Sequence, residues 1–330
     1  MRVLVTGGAG YIGSHTAKVL AGAGYVPVVF DNLSSGHRWA VQWGPLVEGD
    51  LADVGLIRRT LVQYNIEAVI HFAASAYVGE SMAVPEKYFR NNVINTLNLL
   101  EAMLAVGVGN FIFSSSCATF GIPGRTPVPD DHPQRPVNPY GESKLFIEQV
   151  LGWYGKAHGF KSVALRYFNA AGADPEGNLG EDHSPETHLV PLAIGAALGR
   201  FPYLEVYGTD YDTPDGTAIR DYVHVMDLAE AHVLALRHLL DGCSDSAFNL
   251  GVGRGYSVRE VVAAVANLVH ARVPVRERPR RPGDPPVLVA ESTRATEVLG
   301  WRPRYPQLDT IVASALSWHA ARRARHAVVG

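Results

Sequence analysis

The chain has 330 residues, of which 47% are apolar and 18% charged, and this composition is ordinary for a globular protein and excludes a disordered one. The formal net charge is −3 and the basic residues are scattered, so we expect no nucleic-acid partner. No apolar run approaches the ~20 residues that span a bilayer. The two cysteines have no metal-ligand spacing, and the N-terminus enters a strand-like run at once, so we expect a reducing, cytoplasmic location without membrane contact.

The first half of the chain alternates short apolar runs with helical patterns. The runs are β-branched or aromatic and bounded by turns, and they predict strands at 3–6, 26–30, 68–72, 110–114 and 163–167. Helices are predicted at about 12–23, 91–105 and 139–157, the last with Asn138 as N-cap and Pro139 at its first position. This alternation predicts an α/β fold with a doubly wound parallel sheet, of the Rossmann type.

The residue composition of the sequence changes after Asn169. Residues 172–186 are rich in Gly, Pro, Asp and Glu, and they predict a long irregular binding loop or linker. Short helices and strands around Pro-rich joints follow, which predicts a smaller mixed α/β domain. We therefore divide the chain into a dinucleotide-binding domain over 1–169, to which some later segments return, and a substrate-binding domain over 170–330.

A Gly-rich turn lies between the first predicted strand and the first predicted helix. Gly7, Gly10 and Gly13 would let the backbone approach a pyrophosphate closely and would direct the helix N-terminal amides at its charge. A glycine triplet alone is a weak signal, but Asp31 falls at the end of the second predicted strand. A carboxylate there accepts hydrogen bonds from a ribose and repels a 2′-phosphate, which favours NAD over NADP. Asp50 could lie beside the adenine, and a solvated turn aspartate fits the sequence equally well.

A second pattern predicts catalysis. Tyr140 and Lys144 lie four apart on one helix face. A tyrosine titrates near pH ~10, so it acts as a base at neutral pH only if positive charge stabilises its anion, and Lys144 or an oxidised nicotinamide could supply that charge. Ser116 ends an apolar run at the predicted carboxyl edge of the sheet, where ligands bind. The alternative is an exposed helix pair with a buried serine.

These residues carry a resemblance that extends over nearly the whole chain. The chain resembles the extended short-chain dehydrogenase/reductase family and, within it, the UDP-galactose 4-epimerases. Beyond the motifs above, the resemblance lies in the runs at 79–81, 91–92, 166–169, 180–182, 215–217, 220–225, 249–251 and 280–284.

The resemblance implies a mechanism. Tyr140 would take the proton of the sugar 4-hydroxyl while the C4 hydride passes to NAD, and the resulting 4-keto sugar would turn and receive the hydride on its other face. NAD would be regenerated and would stay bound. The resemblance also implies a homodimer joined through the helices at about 91–106 and 139–158.

We assign further residues by the same resemblance. The residues expected to contact NAD are Gly7, Gly10, Tyr11, Ile12, Gly13, Asp31, Asn32, Asp50, Leu51, Phe72, Ala73, Ala74, Asn91, Ser114, Tyr140, Lys144 and Tyr167. The residues expected to contact a UDP-sugar are Ser116, Tyr140, Asn169, His188, Leu189, Tyr207, Arg220, Arg281, Asp284 and Leu288. Arginine suits this role because its guanidinium fork matches phosphate oxygens.

Some positions depart from the family pattern. Sugar-nucleotide dehydratases and decarboxylases carry an acidic residue just after the active-site Ser or Thr, and Cys117-Ala118-Thr119 has none. Cys117 is interpreted as a packing residue, because no base is apparent near it. Leu288 stands where a large Tyr is associated with excluding 2-acetamido sugars, which leaves room for UDP-N-acetylglucosamine.

Several functions besides UDP-galactose/UDP-glucose interconversion stay open on the sequence. A 4-epimerase could prefer UDP-N-acetylglucosamine, UDP-xylose or UDP-arabinose, or UDP-glucuronate. A remote alternative is a non-catalytic, NAD-sensing regulator. His183 and His188, with Glu181, Asp182 and Glu186, have the side chains of metal ligands, but they lie in the predicted binding loop and we expect no metal.

Overall fold

The computed structural model describes residues 1–243, 246–281 and 283–329, so Pro282 of the 280–284 run lies outside the described residues. The strands are β1 (Arg2–Thr6), β2 (Val26–Asp31), β3 (Leu46–Glu48), β4 (Ala68–His71), β5 (Asn110–Ser116), β6 (Lys161–Tyr167), β7 (Asn169–Ala171), β8 (Leu204–Tyr207), β9 (Ile219–His224), β10 (Ser246–Leu250), β11 (Gly255–Ser257), β12 (Val275–Arg278) and β13 (Val287–Leu288). The α-helices are α1 (Tyr11–Gly22), α2 (Val54–Gln63), α3 (Val78–Ala83), α4 (Pro85–Tyr88), α5 (Asn95–Ala105), α6 (Pro139–His158), α7 (Leu189–Ala197), α8 (Val225–Leu240), α9 (Val258–Val269), α10 (Thr293–Leu299) and α11 (Leu308–Val329).

The main sheet has seven parallel strands in the order β10-β6-β5-β4-β1-β2-β3. Its central strands are apolar and buried on both faces, as parallel strands covered by helices on each side must be. The predicted doubly wound α/β fold is therefore confirmed. The predicted strand at 110–114 continues to Ser116, because it pairs with β6 along its whole length.

Two apolar cores cover the two faces of this sheet. Side chains alternate along a strand, so Val3 and Val5 join the core that includes residues of α8, whereas Leu4 joins the core on the opposite face with residues of α2 and α5. Each such fully buried aliphatic side chain contributes about 1.5–3 kcal/mol relative to an exposed one. Because all seven strands run parallel, their carboxyl ends lie at one edge of this buried sheet.

Helix α6 begins and ends as its sequence predicts. The Asn138 side chain accepts a hydrogen bond from the Gly141 amide at 2.8 Å, and Pro139 occupies the first turn. Gly159 takes the left-handed conformation at the C-terminal end, with φ of 65°. The face that turns inward buries Tyr140 and Lys144.

The helix predicted at 91–105 is not uniform. It begins as a π-helical turn over Phe89–Ile94 and becomes α-helical only in α5. Asn92 lies in this turn, and its side chain accepts from the Ser75 amide at 2.8 Å and donates to Ser143 Oγ at 3.0 Å. The irregular turn thus coincides with a buried link between this segment, the chain after β4 and helix α6.

In the second half of the chain, α8 and α10 pack on one face of the main sheet, and most of the strands form two smaller sheets. Strands β7, β11 and β13 pair with β9, and β12 pairs with β8. Apolar side chains of β7, β8, β9 and β11 share a third core with α7, α9 and α11. Strand β10 returns to the main sheet beside β6. Among the described residues, no helix is both long and apolar enough to cross a membrane.

Candidate active site

The carboxyl ends of β1, β4, β5 and β6 form one edge of the main sheet. From β1 the chain continues outward to β2 and β3 on one side, and it later fills the other side with β4, β5 and β6. Ligands of open α/β sheets bind in the crevice at such a reversal of strand order. The predicted dinucleotide and catalytic residues follow these strand ends.

The Gly-rich turn after β1 leaves no space for side chains at two of its glycines. A Cβ on Gly7, whose φ is +70°, would lie 2.5 Å from the Ala73 amide nitrogen, and one on Gly13 would lie 2.3 Å from the Gly7 carbonyl oxygen. Gly10 is the N-cap of α1 and provides no side-chain cap to the helix amides. The α1 N-terminus therefore presents backbone donors to a bound anion, which fits a pyrophosphate.

Asp31 ends β2 beside this turn. Its carboxylate accepts hydrogen bonds from the amides of Ala9 at 2.9 Å and Leu33 at 2.8 Å. Burial raises the pKa of Asp31, and these amide hydrogen bonds oppose the rise. Asn32 donates to Asp50 at 2.7 Å. The structure thus brings Asp50 to the end of β2, next to the aspartate expected to bind ribose.

The remaining residues assigned to NAD line the same edge in different ways. Phe72 and Ala73 follow β4, and both of their amides donate to the Thr6 carbonyl, at 2.9 and 3.2 Å. The Tyr11 hydroxyl donates to the Gly172 carbonyl at 2.6 Å, which ties the Gly-rich turn to the segment after β7. The Leu51 side chain is buried in the core, so only its backbone is available to a ligand.

Three further residues assigned to NAD are Asn91, Ile12 and Ala74, and they lie in three different segments. Asn91 lies in the π-helical turn and donates to Ser75 Oγ at 3.3 Å. Ile12 is in the first turn of α1 and packs against the core below the sheet edge. Ala74 follows Ala73 and is half-buried.

The predicted catalytic residues converge where β5 and β6 meet α6. Lys144 Nζ donates to the Ser114 carbonyl at 2.8 Å and lies 5.9 Å from the centre of the Tyr140 ring. Ser114 Oγ and the Tyr167 hydroxyl are 2.9 Å apart. Ser116 ends β5, opposite Tyr167 in the register. All five side chains are at least largely buried, so the alternative of an exposed helix pair is wrong.

The pKa values of this cluster do not follow the expectation that Lys144 alone lowers the pKa of Tyr140. Burial raises the pKa of Tyr140 far above its ordinary value, Tyr167 adds to the rise, and the hydrogen bond with Ser116 opposes it. Burial also lowers the pKa of Lys144 to about 7, although the Glu148 charge acts in the other direction. In the protein alone the tyrosine therefore keeps its proton. Lys144 by itself does not offset the desolvation of a tyrosinate.

A buried ion pair behind this cluster was not anticipated from the sequence. Arg166 in β6 and Glu148 in α6 are 2.6 Å apart, and both side chains are only 8% exposed. Ser115 Oγ donates to the same carboxylate at 2.5 Å, and Arg166 also donates to the Asp130 carbonyl at 2.9 Å. This network joins the ends of β5 and β6 to α6. The only sequence signal for it is an arginine inside an apolar strand.

Apart from Ser116 and Tyr140, the residues assigned to the substrate lie in the second half of the chain. Arg220 in β9 forms an ion pair with Asp284, and its neighbour across the β9–β13 register is Leu288. The Arg281 guanidinium lies 4.0 Å from the centre of the Tyr207 ring. The chain thus brings together side chains separated by more than 60 positions in the sequence.

Three further residues assigned to the substrate lie at the ends of helices or strands. Asn169 begins β7 and pairs with Tyr222 of β9. His188 is the N-cap of α7, and Leu189 is the first residue of that helix. The His188 ring lies against Glu181 in the preceding segment.

Two of the positions that depart from the family pattern, Cys117 and Leu288, lie close together in the structure. They share a small buried cluster with other apolar side chains, among them Phe120. Burial raises the pKa of Cys117 to about 12, and the Arg220 charge and the Ser116 hydrogen bond only partly oppose this. A thiol in this state is a poor nucleophile, which supports its interpretation as a packing residue.

Comparison with known proteins agrees with this geometry. Residues 3–251 match the NAD dependent epimerase/dehydratase family. The chain is 52% identical over 318 residues to a UDP-glucose 4-epimerase of Rhizobium leguminosarum bv. trifolii, covering 96% of this chain and 97% of that one.

Solved structures agree as well. A UDP-glucose 4-epimerase from Brucella ovis in complex with NAD is 56% identical, with a TM-score of 0.94, over 96% of this chain and 98% of that one. A UDP-glucose 4-epimerase from Stenotrophomonas maltophila with bound NAD and formylated UDP-arabinopyranose is 38% identical, with a TM-score of 0.94. The match covers 98% of this chain and 99% of that one. The resemblance, the NAD cofactor and the assignment as an NAD-dependent isomerase are thereby confirmed. The chain belongs to the NAD-dependent epimerase/dehydratase family.

Proposed function

We propose that the protein interconverts UDP-galactose and UDP-glucose by NAD-dependent epimerisation at the sugar C4, through a transient 4-keto sugar. The observation that carries the proposal is the convergence of Tyr140, Lys144 and Ser116 at the strand ends beside the Gly-rich turn. The names of the similar proteins support the same reaction.

The side chains have separate roles in this proposal. NAD, when bound, supplies a hydride acceptor and donor. Tyr140 would accept the proton of the sugar 4-hydroxyl and return it to the same oxygen after the 4-keto sugar has turned. Ser116 would hold this oxygen by a hydrogen bond, and Lys144 would orient the site through its bond to the Ser114 carbonyl. Burial excludes water, so the transient ketone is protected and the charges act in a medium of low dielectric constant.

The two halves of the chain divide the ligands between them. Residues 1–169, with β10, would hold NAD, and residues 170–330 would hold the UDP-sugar. Arg220 and Arg281 are placed to neutralise a diphosphate, with Asp284 and Tyr207 positioning their guanidinium groups. Asn169, His188 and Leu189 would complete the nucleotide pocket from β7 and the start of α7.

A second substrate is favoured by one observation. Leu288 lies beside Arg220 and packs in an apolar cluster, and its side chain is smaller than the tyrosine associated with excluding 2-acetamido sugars. UDP-N-acetylglucosamine is therefore a candidate substrate of the same site. UDP-xylose, UDP-arabinose and UDP-glucuronate stay as alternatives without a structural observation in their favour.

We also propose a homodimer. Large apolar side chains are exposed on the predicted interface helices: Ile94 in the π-helical turn, and Phe146 and Trp153 in α6. The π-helical turn packs against α6, and large exposed apolar side chains on neighbouring elements are typical of protein contacts. A two-fold interface would bury the same residues of both copies.

The first experiment incubates the purified protein with UDP-galactose without added NAD, and resolves the products by anion exchange. Formation of UDP-glucose without net NADH supports the proposal with retained cofactor. If NAD has to be added, the proposed reaction stands, but the claim that NAD stays bound to the protein is wrong. Conversion of only N-acetylated, pentose or uronic UDP-sugars would overturn the choice of substrate. No conversion of any of them would favour the NAD-sensing regulator.

A further inference from the structure

A buried ion pair lies directly behind the proposed catalytic residues, and both oxygens of its carboxylate have partners. Glu148 in α6 accepts from Arg166 in β6 through Nε at 3.0 Å and through Nη2 at 2.6 Å, on different carboxylate oxygens. The same two oxygens accept from Ser115 Oγ at 2.5 Å and from Gln134 Nε2 at 3.0 Å. A forked guanidinium–carboxylate pair fixes the orientation of both side chains as well as their distance.

Ser115 and Arg166 lie next to residues of the site in their two strands. They are register partners in β5 and β6, and each immediately precedes the last residue of its strand, Ser116 and Tyr167. Side chains alternate along a strand, so Ser115 and Arg166 point to the face covered by α6, whereas Ser116 and Tyr167 point to the other face. The bonds to Glu148 therefore hold the backbone that carries Ser116 and Tyr167.

Helix α6 carries its part of the site and of the network at four-residue spacing. Tyr140, Lys144 and Glu148 follow one another at intervals of four, which places them on one helix face. Lys144 Nζ donates to the Ser114 carbonyl at 2.8 Å, and the next residue of β5, Ser115, donates to Glu148. Two successive residues of β5 are thus bonded to two successive turns of α6, directly beside the turn that carries Tyr140.

Arg166 connects the pair to two further parts of the molecule. Its Nη1 donates to the Asp130 carbonyl at 2.9 Å, and its guanidinium lies 5.4 Å from the centre of the Phe120 ring. The Asp130 carboxylate accepts from the Asn249 amide in β10, the strand next to β6. These contacts on three sides keep the arginine beside Glu148.

Stability alone does not account for this pair. Both side chains are only 8% exposed, and the desolvation of two buried charges offsets much of their attraction. Apolar residues of similar size in place of a buried ion pair are therefore often neutral or stabilising. What apolar residues would lack is the directional bond to Ser115, at the strand end that carries the proposed catalytic hydroxyl.

We propose that Glu148 and Arg166 are positioning residues for the epimerisation. They hold the carboxyl ends of β5 and β6 against α6, so that Ser116 and Tyr140 keep the separation that a shared reacting oxygen requires. A displacement of about 1 Å between such groups costs about 100-fold in rate. This inference rests on the proposed function, in which neither Glu148 nor Arg166 is assigned a contact with the UDP-sugar or NAD.

The test compares an uncharged pair with the parent. Glu148→Gln/Arg166→Met removes both charges together, so that no unpaired charge stays buried. We expect a Tm close to that of the parent, unchanged NAD content, a KM for UDP-galactose within about threefold and a kcat lowered by about 10–100-fold. Amide hydrogen exchange, measured by mass spectrometry on the peptide that contains residues 114–116, should become at least about tenfold faster.

Two further variants separate positioning from a general effect of losing an ion pair. Arg259 and Glu277 form an exposed pair, 3.1 Å apart, so Arg259→Met/Glu277→Gln should keep the parental kcat and the parental exchange at 114–116. Arg166→Lys keeps the charge but not the fork, and its kcat should fall between those of the parent and the double variant. If the double variant does not fold, Arg166→Lys takes its place with the same readouts.

Parental kcat in the double variant would overturn the proposal, whatever the exchange rate. A lowered kcat with parental exchange at 114–116 would also overturn it, because the strand end would not have been released. A parent protein that converts no UDP-sugar would contradict the proposed function instead. In that case the exchange at 114–116 by itself decides the inference: faster exchange in the double variant supports it, and parental exchange overturns it.

Discussion

At the residue scale, desolvation controls the chemistry of the site. Tyr140 is buried and holds its proton more firmly than a free tyrosine, and Lys144 gives its hydrogen bond to the Ser114 carbonyl. In the proposed mechanism, a proton acceptor at this position would therefore depend on the positive charge that oxidised nicotinamide would bring. The proposal thus links the base to the cofactor, with the tyrosine expected to act as a base only in the loaded site.

Tyr140→Phe tests this role. Removing the hydroxyl deletes the proton acceptor while keeping the ring, so we expect kcat to fall by about 10²–10⁴-fold. NAD content and the circular dichroism spectrum should stay those of the parent. Activity is measured by anion exchange of UDP-sugars. A variant that retains more than a tenth of parental kcat would contradict the assignment.

The Lys144 ammonium makes stability depend on pH. Burial lowers its pKa to about 7, below the ordinary value of 10.5. The unfolded chain then binds more protons than the folded one between these values, so the folding penalty is full below pH 7 and fades as pH rises above it. Lys144→Met removes the penalty.

In cofactor-free protein, the stability of Lys144→Met relative to the parent should therefore be greatest at and below neutral pH. We expect this advantage to shrink by about 1–2 kcal/mol between about pH 7 and pH 9. Urea unfolding at several pH values measures it, with the exposed Lys156→Met on the same helix as control. A difference that does not change with pH would show that the lysine is not desolvated.

Leu288 tests the choice of sugar. A larger side chain at this position, next to Arg220, should reduce the space beside the substrate. Leu288→Tyr is expected to lower kcat/KM for UDP-N-acetylglucosamine by at least about tenfold relative to UDP-galactose, which corresponds to roughly 1.4 kcal/mol. Leu288→Met, which conserves volume, is the control. Equal low turnover of the N-acetylated sugar by parent and variant would end the hypothesis.

At the element scale, the turn between β1 and α1 allows close backbone contacts that a side chain would prevent. A Cβ on Gly13 would lie 2.3 Å from the Gly7 carbonyl oxygen, and this oxygen belongs to backbone that cannot move without shifting the turn. The same helix contains Gly22, where a Cβ would have none of the described neighbouring atoms within 4 Å. Substituting each glycine in turn therefore distinguishes the effect of close packing in the turn from the effect of helix propensity.

Gly13→Ala should therefore destabilise the protein by about 1–3 kcal/mol and lower its bound NAD. Gly22→Ala should be neutral or stabilising by up to about 1 kcal/mol and should keep NAD. Thermal unfolding and the absorbance of cofactor released on denaturation measure the two effects. Parental NAD content in Gly13→Ala would refute the role of this turn.

At the scale of the whole molecule, the exposed apolar side chains of α6 predict association. Trp153 is 68% exposed, an unusual exposure for so large an apolar side chain. Trp153→Glu places a charge in the proposed interface, so we expect monomers by light scattering at concentrations where the parent is dimeric. Val62→Glu alters a similarly exposed side chain on α2, 61% exposed, and should leave the dimer intact. A parent protein that is monomeric in this measurement would contradict the proposed homodimer.

Several properties were predicted from the sequence because they depend on local spacing. The strands, the Gly-rich turn and the limits of α6 follow from patterns within about twenty residues of each other, and the structure confirms them. The Tyr140–Lys144 pair also follows, since residues four apart share one helix face. The division of the chain at residue 169, the cytoplasmic location and the lack of a nucleic-acid partner stay predictions.

Other features depend on how distant segments pack. The π-helical turn coincides with the bonds of Asn92 to Ser75 and Ser143, the Arg220–Asp284 pair joins β9 to a later loop, and burial changes the pKa of Lys144. The contacts of His183 and His188 with Glu181 belong here too, because the residue types are visible in the sequence while the distances between them are not. Sequence patterns by themselves determined the fold and the family, whereas desolvation and long-range contacts, which exist only once the elements pack, decided the chemistry of each site.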